Sequence, residues 1–200
     1  MQSSYAKNNL GEIFLTHIKC FKPLVAVELG ILDGYSTSFI AQGLKINKER
    51  WGLNGHLDAY DLWDLYPYKH GNMKEVKDFL DNILLGQSEK FVTLHKGDAF
   101  SVYQNYPDKS IHFLHIDISN TGDILRDIMS LWDRKIYQGG IICFEGGSEE
   151  RDNVEWMIKY NKLPIKLELE SNPIIKKNYI YGTYNMYPSL TILYKKFDYA

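Results

Sequence analysis

The sequence predicts a doubly wound, Rossmann-like α/β fold, mostly parallel, with an antiparallel strand pair at its C-terminal end. Three observations predict it. Short, nearly continuous apolar runs such as Leu24-Val25-Ala26-Val27-Glu28-Leu29 recur as far as Phe144, segments of helical apolar spacing alternate with them, and glycine-bearing turns join the two. Strands buried under helices on both faces read as such runs. Their alternation with helices implies right-handed crossovers and a parallel sheet.

Each element follows in order. Leu10 to Phe21 carries Ile13, Phe14, Ile18 and Phe21 at helical spacing. Leu24 to Leu29 is the first strand, Gly30 to Gly34 its exit turn, and Ser36 to Leu44 the next helix. His56 to Leu62 reads as strand two, Met73 to Leu85 as a helix, Phe91 to His95 as strand three, and Ala99 to Tyr106 as a short helix. Ile111 to Ile118 is the fourth strand. Asn120 is placed to cap the following helix, with Asp123 three residues on. Ile124, Leu125, Ile128, Met129 and Trp132 then line one face of that helix. Gly139-Gly140 ends the connection, and Ile141 to Phe144 is strand five.

The rhythm then changes. Ile165, Leu167 and Leu169 alternate with charged residues, and Leu190, Ile192 and Tyr194 alternate with Thr and Lys. Half-exposed strands read this way, so these two segments are expected to form the antiparallel pair. Residues 171–188 lie between them, with Tyr179, Tyr181, Tyr184 and Tyr187, and read as a long tyrosine-rich loop.

Composition narrows the class. Two hundred residues suit one domain, residues 1–200, with an N-terminal helical segment over 1–22. A net charge of −2 and a pI near 6.3 give no footprint for nucleic acid or an anionic membrane, so neither is an expected partner. The first ten residues are polar, and no stretch approaches the ~18 apolar residues that span a bilayer; a cytoplasmic location is expected. Cys20 and Cys143 lie far apart among apolar neighbours and read as buried free thiols. An edge strand pair beside a tyrosine-rich loop is compatible with a homodimer.

Open parallel sheets bind ligands beyond the carboxyl ends of their strands. At the first such end, Gly30 and Gly34 allow a sharp turn and close ligand approach, and the next helix points free N–H groups at the crevice. Leu32 stands where a dinucleotide fingerprint needs its second glycine, which disfavours a pyrophosphate. Asp61 at the second strand tip is placed to accept ribose hydroxyls, and Gly97-Asp98-Ala99 after the third lies near an expected adenine. Three such features in order point to a nucleoside site.

The run Glu28-Leu29-Gly30-Ile31-Leu32-Asp33-Gly34-Tyr35-Ser36-Thr37 resembles motif I of class I S-adenosylmethionine-dependent methyltransferases. His115-Ile116-Asp117 and Gly139-Gly140-Ile141-Ile142-Cys143-Phe144-Glu145 resemble elements of the macrocin-type O-methyltransferase group and related small methyltransferases. The resemblance implies S-adenosylmethionine as cofactor and a small-molecule acceptor. It places Glu28, Gly30, Gly34 and Ser36 around the methionine portion, Asp61 at the ribose, Asp98 and Ala99 at the adenine, and Asp117 in reach of the ligand. In the macrocin-type enzymes, carboxylates after the fourth and fifth strands hold a divalent metal that orients the acceptor. Here Ser119 and Gly146 replace two of them, leaving Asp117 and Glu145 as the candidate ligands for Mg²⁺.

Methyl transfer from a sulfonium asks the protein to align the acceptor and remove one proton. Asp117 and Glu145 at adjacent strand tips are the candidate catalytic carboxylates, as general base or acceptor anchor. The competing roles are a helix cap for Asp117 and plain solvation for Glu145. Trp63 follows Asp61 and is placed either to stack on the adenosine or to pack. Two other functions share this fold: a cofactor-binding or scaffold protein with reduced catalysis, motivated by the eroded acidic cluster, and a nicotinamide-dependent oxidoreductase, opposed by Leu32.

Overall fold

A computed structural model describes residues 3–197. The chain divides into two units, one ending at Ser101 and the other starting at Val102.

In the N-terminal unit, α1 (Gly11–Phe21) buries Phe14 and Ile18 and packs along α2 (Tyr35–Trp51). Strands β1 (Val25–Leu29), β2 (His56–Asp61) and β3 (Val92–Lys96) run parallel in the order β3-β2-β1. From Ala26 to Leu29, β1 has no solvent exposure, which is why its sequence lacks alternation. Helix α3 (Met73–Ile83) starts at Asn72, whose side chain accepts from the Lys74 and Glu75 N–H groups. It buries Val76 and Leu80. These elements match the sequence expectation to within a residue or two, except that α2 runs seven residues beyond the expected end at Leu44.

The C-terminal unit has β4 (Ile111–Ile116), α4 (Gly122–Trp132) and β5 (Ile136–Glu145). Short helices α5 (Glu149–Asp152), α6 (Glu155–Lys159), α7 (Ile165–Ser171) and α8 (Pro173–Asn178) follow, then β6 (Tyr179–Tyr184) and β7 (Leu190–Lys195). Its strands lie in the order β4-β5-β7-β6, with β4 and β5 parallel and β7 antiparallel to both β5 and β6.

Several expectations need correction here. The antiparallel pair exists, but its members are β6 and β7. Residues 165–171 are helical: Ile165, Glu168 and Leu169 are buried while Leu167 is exposed, a helical spacing. The cause is remote in sequence, because the Asp152 carboxylate accepts from the Ile165 and Lys166 N–H groups (2.8 and 2.9 Å) and caps α7. The tyrosine-rich stretch is accordingly not a loop. It contains α8 and then the outer strand β6, pinned where the Tyr179 hydroxyl donates to Asp133 (2.8 Å). Gly139 lies inside β5, with φ +77° at a register shift against β4, and does not end the connection. Thr121 caps α4 in place of Asn120. Cys143 is buried and free as expected, but Cys20 is exposed, on the face of α1 opposite Phe14 and Ile18. Among the described residues no helix is long and apolar enough to cross a membrane.

Candidate functional site

The loop leaving β1 is held by its neighbours at every turn. Gly30 and Gly34 take positive φ (+90° and +79°), which their lack of a Cβ permits. Leu32 does so as well, at φ +54°. That is a costly conformation for a branched side chain, so something must hold it. Asp61 supplies the restraint. Its Oδ2 accepts from the Ile31 and Leu32 N–H groups (2.8 and 3.2 Å), and its Oδ1 accepts from Trp63 N–H (2.9 Å). The Gly30 N–H donates to the Tyr60 carbonyl just before it (2.8 Å).

Glu28 lies beneath this loop, fully buried on β1. The Ser36 and Thr37 hydroxyls of α2 donate to its two carboxylate oxygens, each at 2.6 Å. Both oxygens of a buried carboxylate are thereby satisfied, as burial demands. The pair of bonds fixes the first turn of α2 to the end of β1.

A cavity of about 690 Å³ opens beside the loop. Leu32 and Asp33 line it from the β1 exit, Trp63 and Asp64 from beyond β2, and Val76 and Phe79 from α3. Trp63 is itself held at φ +52°, its indole N–H donating to the His95 carbonyl (2.9 Å). At the rim, Lys96 pairs with Asp64 at 2.6 Å, an exposed contact that holds the Asp64 carboxyl below its usual range.

The predicted cofactor residues therefore fall into groups. Gly30, Gly34 and Asp61 form one bonded loop, and Glu28 and Ser36 form its buried base. Asp98 and Ala99 follow β3, where Asp98 is exposed and accepts from Phe100 N–H (3.0 Å), while Ala99 is buried. The Gly97 N–H donates to the Asp61 carbonyl (3.0 Å), which ties the β3 exit to the β2 tip. Sequence reasoning missed that Asp61 braces the loop. The signal was an acid at a strand tip beside a turn needing N–H acceptors.

In the C-terminal unit, Asp117 follows β4 and is half-buried, and Glu145 ends β5 and is buried. They are joined through Asn120, whose Nδ2 donates to Asp117 Oδ1 (3.3 Å) and to Glu145 Oε2 (2.9 Å). Arg151, just 6% exposed, reaches Glu145 Oε1 through Nε at 3.3 Å and lies over the Trp156 ring. Asn120 and Arg151 were not legible as partners, because nothing in their spacing shows that α5 returns to the β5 tip. No group of three or more His, Cys, Asp or Glu able to hold a metal occurs among the described residues.

The donor set at the N-terminal loop fits an adenosyl cofactor. Three N–H groups occupy the Asp61 carboxylate, and an ionised carboxylate has about four lone-pair directions, leaving one for a hydroxyl. At the C-terminal carboxylates the donor set does not suit Mg²⁺, since cationic and N–H groups already face Glu145.

Known proteins resemble the chain in family and in fold. Residues 27–145, more than half of the chain, match the family described as a methyltransferase domain. No curated protein sequence matches the chain. Among solved structures it resembles the O-methyltransferase TomG of Streptomyces achromogenes, involved in tomaymycin synthesis and solved with S-adenosylmethionine. The TM-score is 0.65 at 12% identity, covering 94% of this chain and 80% of that one. It also resembles an O-methyltransferase from Bacillus cereus in complex with S-adenosylhomocysteine (TM-score 0.59, 16% identity, 94% and 81% covered). A methyltransferase from Geobacter sulfurreducens is similar again (TM-score 0.64, 12% identity, 94% and 79% covered). The likeness to these structures establishes the Rossmann-like fold, and the family match, read with motif I, establishes the class. The chain belongs to the methyltransferase domain family and is a class I S-adenosylmethionine-dependent methyltransferase.

Proposed function

We propose that the chain methylates an oxygen of a small-molecule acceptor, with the β1 exit loop holding the cofactor. The observation that carries the reading is the Asp61 carboxylate closing the Gly30–Gly34 loop beside a cavity of about 690 Å³. That volume lies in the ordinary range for sites that enclose a drug-sized ligand. When bound, the cofactor supplies a sulfonium methyl group. The protein's work is positional. Glu28 and the two hydroxyls keep the loop from shifting, Asp61 accepts a ribose hydroxyl at its remaining lone pair, and Trp63 walls the nucleoside. Within the C-terminal unit, the half-buried Asp117 carboxylate, oriented by Asn120, is the candidate general base. Oxygen as the acceptor atom is supported by the O-methyltransferases TomG and the Bacillus cereus enzyme.

Calorimetric titration with S-adenosylmethionine and S-adenosylhomocysteine tests the reading. Heat of binding with a micromolar dissociation constant is expected, weakened on the order of tenfold in Asp61→Ala, which leaves two loop N–H groups without an acceptor. Absence of heat with both ligands at high micromolar concentration overturns it.

A further inference from the structure

The methyltransferases that this chain resembles use carboxylates after the fourth and fifth strands to hold a divalent cation. The corresponding residues here, Asp117 and Glu145, already have positive and N–H partners of the protein's own making. We infer that this carboxylate pair takes no divalent metal, because Arg151 and Asn120 permanently fill the cation's role. The inference rests on the methyltransferase reading above.

Glu145 has little left to offer a metal. Arg151 Nε donates to Oε1 at 3.3 Å, and Asn120 Nδ2 and Arg151 Nη2 reach Oε2 at 2.9 and 3.5 Å. A guanidinium is a cation with donors only and no acceptor, so it offers a metal no ligand. Its side chain is 7% exposed, and Nη2 also donates to the Asn120 carbonyl (3.4 Å), so it is not a mobile surface group that an ion displaces. The Asn120 amide stands between the two carboxylates and donates to both. Mg²⁺ needs near-octahedral oxygen ligands close around it and gives up water reluctantly. At this position it would face N–H hydrogens and a full positive charge with few water molecules to screen them.

Rotating the Asn120 amide would turn Oδ1 toward the carboxylates, and Oδ1 is buried with no partner in the present rotamer. That rotation would still leave the guanidinium against Glu145, and it would set the amide oxygen beside two anions. The Arg151 Nη1 group, likewise buried with no partner, marks the same conclusion from the other side. The site thus holds one unpartnered donor and one unpartnered amide oxygen, whereas a metal centre needs several oxygen lone pairs close around it. In this arrangement Asp117 keeps its position through the amide, beside a carboxylate that is already neutralised.

The test is a Mn²⁺ titration of the full chain followed by the electron paramagnetic resonance of free aqueous Mn²⁺, with melting curves in Mg²⁺ alongside. The wild type is expected to capture no Mn²⁺ at millimolar concentration and to melt as it does in NaCl of equal ionic strength. Arg151→Met keeps the stem and removes the charge, and it is expected to tighten Mn²⁺ affinity at least on the order of tenfold. Capture of one equivalent of Mn²⁺ by the wild type, lost in Asp117→Asn, overturns the inference. That measurement needs no Arg151 variant to fold. A folded Arg151→Met protein with no gain in affinity overturns the assignment to Arg151. S-adenosylhomocysteine calorimetry on the same preparations separates the two readings, since absent heat counts against the methyltransferase function and leaves the Mn²⁺ result standing.

Discussion

Glu28 and Glu145 occupy comparable places, each buried toward the end of a strand, β1 in the N-terminal unit and β5 in the C-terminal unit. Their partners differ in kind. Glu28 is held by two neutral hydroxyls from the first turn of the helix that follows it. Glu145 is held by a guanidinium and an amide from the chain on either side of it. Hydroxyls leave the local charge at that of the carboxylate and act as a brace, so the Glu28 arrangement is mechanical. A guanidinium cancels the charge and bars other cations, so the Glu145 arrangement decides chemistry. Buried acids of one residue type thus serve different ends according to what neutralises them.

The largest expected effect breaks the ionic case. Arg151→Met leaves Glu145 buried with its charge uncompensated, and should cost about 3–5 kcal/mol in urea unfolding. Pairing it with Glu145→Leu should restore much of that loss, because well-packed apolar replacements of a buried pair are often neutral. If the single variant unfolds at the wild-type midpoint, Glu145 does not depend on its cation.

The hydroxyl case should be milder. Ser36→Ala removes one neutral donor from Glu28 and should cost about 1–3 kcal/mol, with Thr37→Val similar. Equal losses for Ser36→Ala and Arg151→Met would erase the distinction drawn between the two sites.

The smallest effect isolates burial itself. His112 is partly buried and stacked on Tyr137, and desolvation lowers its pKa below 6.5. The folded state therefore binds the proton less well than the unfolded chain does. Its contribution to stability is fully present above the unfolded value near ~6.5 and is lost as pH falls through the lower folded value. His112→Gln should flatten the stability–pH curve on that acid side, read from unfolding midpoints between neutral and mildly acid pH. An unchanged slope would show that His112 is not a source of acid sensitivity.

Much of the fold was written locally. The run Val25–Leu29 reads as a doubly covered strand because every one of its residues is apolar except Glu28, and that exception carries the motif. The Gly30–Gly34 turn and Asp61 were legible as a site for the same reason: residues that bend a loop, or end a strand with a charge, are costly without a use. The segment 165–171 was not legible. Ile165, Leu167 and Leu169 fit a two-residue period while Ile165 and Leu169 alone also fit a helical one, and the choice between them rests with Asp152, thirteen residues upstream of Ile165. The tyrosine-rich stretch failed similarly, since the edge strand β6 has most residues exposed and so lacks a buried pattern to read.

By itself the sequence determined the alternation of strands and helices as far as β5, the methyltransferase motif and the acids at those strand tips, because backbone preference and apolar period act over a few residues. Only the tertiary structure decided the state of those acids. Asp61 turned out to brace a loop, Glu28 to tie a helix to a strand, and Glu145 to sit against Arg151. A buried charge takes its partner from whatever the fold brings within hydrogen-bond reach, and that proximity is set by packing across the chain rather than by spacing along it.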